Sequence, residues 1–405
     1  LSPRHLLSAG SRPGLRAVAI LSASGLTLFG MAGVSPALPA IARAFADVPN
    51  IGLLAPMVLT MAAFFIALSA PFAGLVIDRL GRRPVLITAL MVYLVTGLAP
   101  VWLDGLFAIL VSRAIMGIAV GMILTVATTL IGDFYDGAAR NRMAGLQFAT
   151  MTVAMAFGTT VTGFLAESDW RLPFAMYALA LVVLPLAWIA IEEPERRPSG
   201  AEHPAESGSG GTIAVAALLL VYVLVWLSMV FTFLVPSQVP FLLPEIGVPE
   251  ARIAGFGVAL FNLVTGITAV LFRLLRGRFG RNALMAVGNF LLGCGYLLAA
   301  SADGAPQVMT GMVVSGLGFG IIVPTLNAWL LSVAPVRFRG RVVGGFTFCQ
   351  FLGLAMSPFY SRPLAALVDM TGAFALTGLG LIALALAFSG AGMMTLALGG
   401  KGETN

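Results

Sequence analysis

Gly74-Leu-Val-Ile-Asp78-Arg79-Leu-Gly81-Arg82-Arg83-Pro84 separates two long apolar runs, and the reading of this stretch decides the fold. About 20 apolar residues suffice for a helix to cross the hydrocarbon core of a bilayer. With such runs on both sides, the stretch is a short loop at one membrane face. Asp78 ends one helix, Gly81 supplies the turn, Arg79, Arg82 and Arg83 crowd that face, and Pro84 suits the first turn of the next helix.

The composition agrees. Of 405 residues, 59% are apolar and 10% charged, with a mean hydropathy of +0.99, whereas globular chains carry about one-quarter charged residues. Lipid is the solvent for most of the chain. The net charge of +6 rests on arginine, with Lys401 the single lysine. No basic soluble domain is present that would fit nucleic acid. Cys294 and Cys349 fall inside apolar runs and read as packing residues, not as a disulfide or a metal cluster. His5 and His203 lie in polar segments, which leaves no buried imidazole for proton shuttling or metal binding. No cofactor is expected.

Twelve apolar runs can be drawn, at roughly 17–42, 51–77, 84–102, 105–132, 143–167, 172–191, 213–240, 252–275, 283–301, 306–333, 342–366 and 372–397. The fold class is therefore all-α and polytopic. Pro36, Pro56, Pro71, Pro324 and Pro358 lie inside runs and mark expected bends. An even number of spans puts both termini on one side. Eighteen basic residues fall on the side of the Asp78 loop, against Arg43, Arg171, Arg252 and Arg362 on the other. The positive-inside rule makes the first side cytoplasmic. Residues 1–16 read as a cytoplasmic tail and not a signal peptide, because the run after Arg16 is too long for one. Residues 398–405 form a second cytoplasmic tail, and the expected location is the inner membrane.

Residues 192–212, rich in Pro, Glu, Ser and Gly, read as a cytoplasmic linker between a bundle at 17–191 and a bundle at 213–397. An internal repeat at an offset of 199 to 200 residues supports two homologous six-helix halves. It relates Gly81 to Gly280, Gly117 to Gly316, Gly121 to Gly320, Arg140 to Arg339, Arg142 to Arg341, Gly145 to Gly344, Asp169 to Asp369 and Phe174 to Phe374.

The loop from Gly74 to Arg83 resembles, position for position, the Gly-x-Leu-x-Asp-Arg-x-Gly-Arg-Arg loop of the major facilitator superfamily. The resemblance covers essentially the whole chain. It implies a monomeric secondary transporter in the lipid bilayer, whose two bundles rock about a midplane site for a small-molecule substrate. It also makes Gly74, Asp78, Arg79, Gly81, Arg82 and Arg83 a gating motif. There Asp78 meets the positive end of the second-half helix that begins near Arg341. Gly277 replaces Asp78 in the second half.

Arg113 is the one charge well inside a run, and Met312 stands opposite it in the repeat. A charge there is costly in lipid and should face the protein interior. Arg113-Ala-Ile-Met-Gly117 resembles the Arg-x-x-x-Gly element of proton-coupled members, which implies proton coupling or substrate contact. Gly117 and Gly121 read as helix-packing glycines. Gly30 to Pro39 resembles the Gly-x5-Pro-x-x-Pro element of the twelve-helix drug:proton antiporter branch, which implies export. Thr159 and Thr162 depart from that branch's fifth-helix pattern.

No Asp or Glu lies near the middle of any run. The candidate lining of a cavity is mild: Thr27, Thr125, Gln147, Thr232, Asn262, Asn327, Trp329 and Gln350, several with a polar neighbour three or four residues away on the same helix face. These residues lead to an expectation of proton-linked efflux of small neutral or weakly anionic amphipathic compounds. An importer or facilitator of a neutral or anionic metabolite is the rival within the class, and a transporter-like sensor the rival outside it. An intramembrane enzyme would need a clustered His, Asp or Glu set that the sequence lacks.

Overall fold

The structure is a computed structural model that describes residues 13–194, 211–334 and 339–399. The ends of both tails, most of the 192–212 linker and residues 335–338 lie outside the described residues.

The first half holds α1 (Pro13–Ala32), a 3-10 turn at Ser35–Ala37, α2 (Leu38–Ala44), α3 (Ile51–Leu80), α4 (Arg82–Leu98), α5 (Leu106–Phe134), α6 (Gly137–Ser168), α7 (Leu172–Ala175) and α8 (Ala180–Ala190). The second half holds α9 (Gly211–Thr232), α10 (Leu234–Glu245), α11 (Ala251–Arg276), α12 (Arg281–Ala300), α13 (Ala305–Val333) and α14 (Arg339–Gly399). Among the described residues 11 helical stretches are long and apolar enough to span. The last of them, at 50 residues, would measure about 75 Å, more than twice a hydrocarbon core of about 30 Å. It breaks at Val368 and Asp369, where Asp369 takes a left-handed φ of 61°. It therefore crosses twice, and the crossings number twelve. The Asp369 carboxylate caps the helical segment that follows, accepting from the Thr371 hydroxyl and the Gly372 amide at 2.6 Å each. Those bonds, Thr371 foremost, hold its carboxyl below the usual range.

The prolines inside the runs fall into two groups, one that interrupts a helix and one that a helix runs through. The first crossing does break at Pro36, in the turn between α1 and α2. Pro56 and Pro71 sit within α3, Pro324 within α13 and Pro358 within α14, each helix continuing through them. A second break falls at Phe233, between α9 and α10, three residues before Pro236. Pro36 and Pro236 are repeat equivalents, and the two breaks meet: the Ser35 hydroxyl donates to the Pro236 carbonyl.

Two hydrophobic cores form, one almost wholly from residues 19–191 and one from residues 221–381. Their internal packing repeats as the sequence does. A Cβ on Gly117 would strike the Ala62 carbonyl, and one on Gly316 the Phe261 carbonyl. Gly121 packs on Ser69, and Gly320 on Thr268. The partners Ala62 and Phe261, and Ser69 and Thr268, stand at the same 199-residue offset as the glycines, so each half lays its fourth crossing on its second with identical small-residue contacts.

The halves join along two seams, α3 against α14 and α6 against α11. Phe351 and Ala355 of α14 belong to the first-half core. Toward the face opposite the arginine-rich one, α6 and α11 come close enough that a Cβ on Gly163 or Gly255 would meet the other helix's backbone. Glu167 pairs with Arg252 at 3.5 Å across the same seam.

Candidate functional site

The turn that ends α3 is built for glycine. Gly81 has φ +94°, and a Cβ there would lie 2.7 Å from Oε1 of Glu193. The Glu193 carboxylate accepts the backbone N–H groups of Arg82 and Arg83, both at 2.7 Å. It thus caps the N-terminus of α4, where unpaired amides and the helix dipole favour an anion. Arg82 reaches Asp133 at the end of α5 through Nε at 3.1 Å and Asp78 through Nη1 at 3.7 Å. Arg83 donates to the Trp188 carbonyl at 2.8 Å and lies over that indole ring. One loop therefore ties together the ends of α3, α4, α5 and α8. The expected partner of Asp78, the start of α14, adjoins residues outside the described ones, and the ion pair to Arg82 stays within the first half. Gly74 faces open space, with nothing within 4 Å of a Cβ position, and Arg79 is exposed.

Arg113 is 1% exposed and points into the first bundle. Nη2 donates to the carbonyls of Thr96 and Gly97 at 2.6 and 3.0 Å, at the C-terminal turn of α4. The guanidinium sits 4.9 Å from the Tyr177 ring centre and 5.1 Å from that of Phe174. A cation beside the carbonyls that end a helix, with two aromatic rings against it, is well placed electrostatically. Nε and Nη1 have no hydrogen-bond partner among the described residues. Its hydrogen bonds and ring contacts all lie in the first half, away from the seams.

The candidate lining residues do not converge on one cavity. Thr27 is buried and bonds back to the Ser24 carbonyl, and Gln147 is buried with its amide on the Ser24 hydroxyl at 3.0 Å. Gln147 thus joins α6 to α1, while Thr27 bonds within α1, and both bonds stay inside the first half. Trp329 is buried beneath Arg281, whose guanidinium lies 3.9 Å from the ring centre. It belongs to helix packing at the start of α12. Thr125 and Asn262 bond to their own helices, at Gly121 and Val258. Thr232 is buried with an unpartnered hydroxyl, Asn327 is exposed, and Gln350 is half-buried. Asp133 and Glu193, which complete the charged loop, escaped the sequence reading because they look like boundary acids. The adjacent arginines Arg82 and Arg83 were the signal that acceptors must lie nearby.

Twelve apolar crossings in two like bundles, with the breaks of the first and seventh crossings meeting between them, define a polytopic helical transporter. Residues 20–358 match the Major Facilitator Superfamily, and the chain belongs to it. It is a secondary transporter and not an enzyme. Among similar proteins are the class C tetracycline resistance protein of Escherichia coli, 29% identical over 81% of this chain and 84% of that one, and the gallate transporter of Pseudomonas putida, 24% identical over 76% and 84%. Multidrug resistance protein 1 of Bacillus subtilis is 24% identical over 65% and 69%. The fold matches the inward-open and partially occluded xylose transporter XylE from E. coli, the latter with a TM-score of 0.72 at 18% identity, covering 92% of this chain and 96% of that one. It also matches the nucleoside transporter NupG, with a TM-score of 0.74 at 14% identity over 93% and 99%.

Proposed function

We propose that this chain exports small neutral or weakly anionic amphipathic compounds by alternating access, linked to proton movement. On this reading the arginine-rich face is cytoplasmic, the membrane is the inner one, and the working unit is a monomer of two bundles, 17–191 and 213–397, joined by the 192–212 linker. Similarity to tetracycline and multidrug resistance proteins supports the direction. The observation that carries the substrate class is electrostatic. Among the described residues the deeply buried charge is Arg113, and no carboxylate lies in the buried middle of a crossing. A lipophilic cation entering such a protein would lack a compensating charge, at a cost of several kcal/mol.

Arg113 is the residue to which we assign coupling or substrate contact. Its repeat partner Met312 is 0% exposed, so the fold accepts an apolar side chain at this position, and the arginine is retained for another reason. A guanidinium does not give up its proton readily. It acts by orienting water or a substrate acceptor with the two nitrogens that the α4 carbonyls leave free. Asp78 and its loop bias the cytoplasmic closure, and Thr125, Asn262, Asn327 and Gln350 remain candidates for the substrate path.

The test is flux in proteoliposomes under an imposed proton gradient, with matched neutral, anionic and quaternary-ammonium compounds. Gradient-driven movement of the first two, sensitive to Arg113→Met, is the expected result. Arg113-independent export of quaternary cations would refute the electrostatic argument. A second reading, import of an anionic metabolite, is favoured by the similarity to a gallate transporter, and accumulation toward the side of the linker would select it.

A further inference from the structure

On α14, Arg362 holds its guanidinium over the ring of Phe241, 4.0 Å from the centre. The Nε and Nη2 atoms are both buried and both without a hydrogen-bond partner among the described residues. These two nitrogens share one edge of the guanidinium, and their N–H bonds run parallel. That edge is the one that grips a carboxylate with two bonds at once. Arg113 and Arg171 also have buried, unpartnered guanidinium nitrogens, but Arg113 has spent Nη2 on backbone carbonyls and Arg171 has spent its own on Asp104. Arg362 keeps the whole edge idle.

A second idle group lies on the helix that carries Phe241. Gln238 is 0% exposed, with neither its amide nitrogen nor its amide oxygen bonded. It precedes Phe241 by three residues on α10, so both lie on one helix face. Buried polar groups are almost always satisfied, and leaving one unsatisfied costs stability. The fold does not require an amide here, because the repeat partner, Leu38, is apolar and equally buried. Phe241 packs against both hydrophobic cores, so this cluster sits at the seam between halves. Parting of the halves on this face would uncover the ring and the guanidinium on it.

We propose that Arg362, Gln238 and Phe241 form a subsite for the carboxylate of a planar organic anion, closed in this conformation and exposed when this face opens. Arg362 clamps the carboxylate, Phe241 lies along the ligand's apolar body, and Gln238 supplies a further donor or acceptor. Glu245 is the internal competitor. It lies near enough to act on Arg362 electrostatically, but its Oε2 accepts from the Met370 amide at 3.2 Å, and it forms no ion pair with the guanidinium. The proposal rests on the anionic part of the substrate reading above and is independent of direction and coupling.

Binding of benzoate and its neutral analogue benzamide to the purified full-length protein, measured by titration calorimetry, tests it. Benzoate should bind about tenfold or more tighter than benzamide, and Arg362→Gln should erase the difference. Arg362→Lys should lose most of it as well, because an ammonium cannot offer two parallel donors. Gln238→Leu should weaken benzoate a few-fold, and Glu245→Gln should tighten it. Equal binding of the two probes, full benzoate affinity in Arg362→Lys, or weaker binding in Glu245→Gln would each overturn the subsite. The Glu245 result decides even where an Arg362 variant fails to fold. Arg362-dependent stabilisation by phosphatidylglycerol with no benzoate binding would assign the edge to a lipid headgroup and also overturn it. Arg362-dependent benzoate binding together with absent efflux would sink the export reading alone, whereas efflux without such binding would sink the subsite alone.

Discussion

Removing the Glu193 carboxylate should loosen the start of α4 without unfolding the bundle. Glu193 accepts two amide bonds of 2.7 Å, from Arg82 and Arg83, at a helix N-terminus. Loss of a side-chain cap costs about 0.5–2 kcal/mol, and loss of an anion from the dipole about 0.3–1 kcal/mol in an exposed setting. Because the group is solvent-exposed, the sum for Glu193→Ala should stay near about 1–2 kcal/mol. Glu193→Gln keeps one acceptor oxygen and loses the charge, so about half of that is expected. Amide hydrogen exchange at Arg82 and Arg83 reads the effect directly, since a change of 1–2 kcal/mol is a factor of about 5–30 in an opening equilibrium. Gly81→Ala reaches the same cap by another route. Its Cβ would press on Oε1 from 2.7 Å while the backbone holds φ +94°, a region that disfavours side chains. Exchange at these two amides should therefore rise in all three variants and stay unchanged in α12, whose N-terminus begins at Arg281 in the other half. Unaltered exchange in Glu193→Ala would show that the cap contributes nothing and that the reasoning from its geometry is wrong.

Asp78→Asn should cut transport strongly at nearly unchanged folded yield, because its own side chain is exposed and its ion pair with Arg82, at 3.7 Å, contributes about 1 kcal/mol or less. Full transport by that variant would remove the gating role. Arg113→Met should fold, with stability lowered by about 1–3 kcal/mol for each carbonyl left bare at Thr96 and Gly97, and should lose gradient-driven flux. Wild-type flux would make Arg113 a packing residue. Ser207→Cys, in a background lacking Cys294 and Cys349, should resist impermeant thiol reagents in intact cells. Labelling without permeabilisation would invert the orientation.

The crossings were legible because lipid leaves a helix no alternative: every backbone amide must be paired internally over a fixed thickness. The run drawn at 105–132 is α5 at Leu106–Phe134, and the run at 283–301 is α12 at Arg281–Ala300. Breaks were less legible. Proline removes one donor, and whether the helix then parts depends on what neighbouring helices supply. Pro56 lies inside an unbroken α3, whereas the chain parts at Phe233, ahead of Pro236. The loop motif was visible residue by residue, but its acceptor Glu193 comes 110 residues or more later in the chain. Pairing of that kind is set by where α8 ends in space. The polar lining failed for a related reason. Spacing puts Gln147 and Thr150 on one face, but not which way that face turns, and the helix rotates Gln147 onto Ser24.

The repeat supplies what a single chain otherwise lacks, an internal control on which side chains the fold requires. At Gly117 and Gly316, kept in both halves, the structure shows the same packing reason: a backbone carbonyl occupies the place of the missing side chain. Where the halves differ, one member shows the position working without the chemistry. Gly277 stands where Asp78 carries charge, buried Met312 where Arg113 does, and buried Leu38 where Gln238 carries an idle amide. At the two buried positions the polar member carries a desolvation cost that its apolar counterpart avoids, the charge of Arg113 and the unsatisfied amide of Gln238. Natural sequences break local rules of this kind mainly at functional sites. The three positions are also spread over distinct parts of the molecule: a loop at one face, the interior of the first bundle, and the seam at the opposite face. That distribution is what the proposed division of closure, coupling and recognition among separate residues requires.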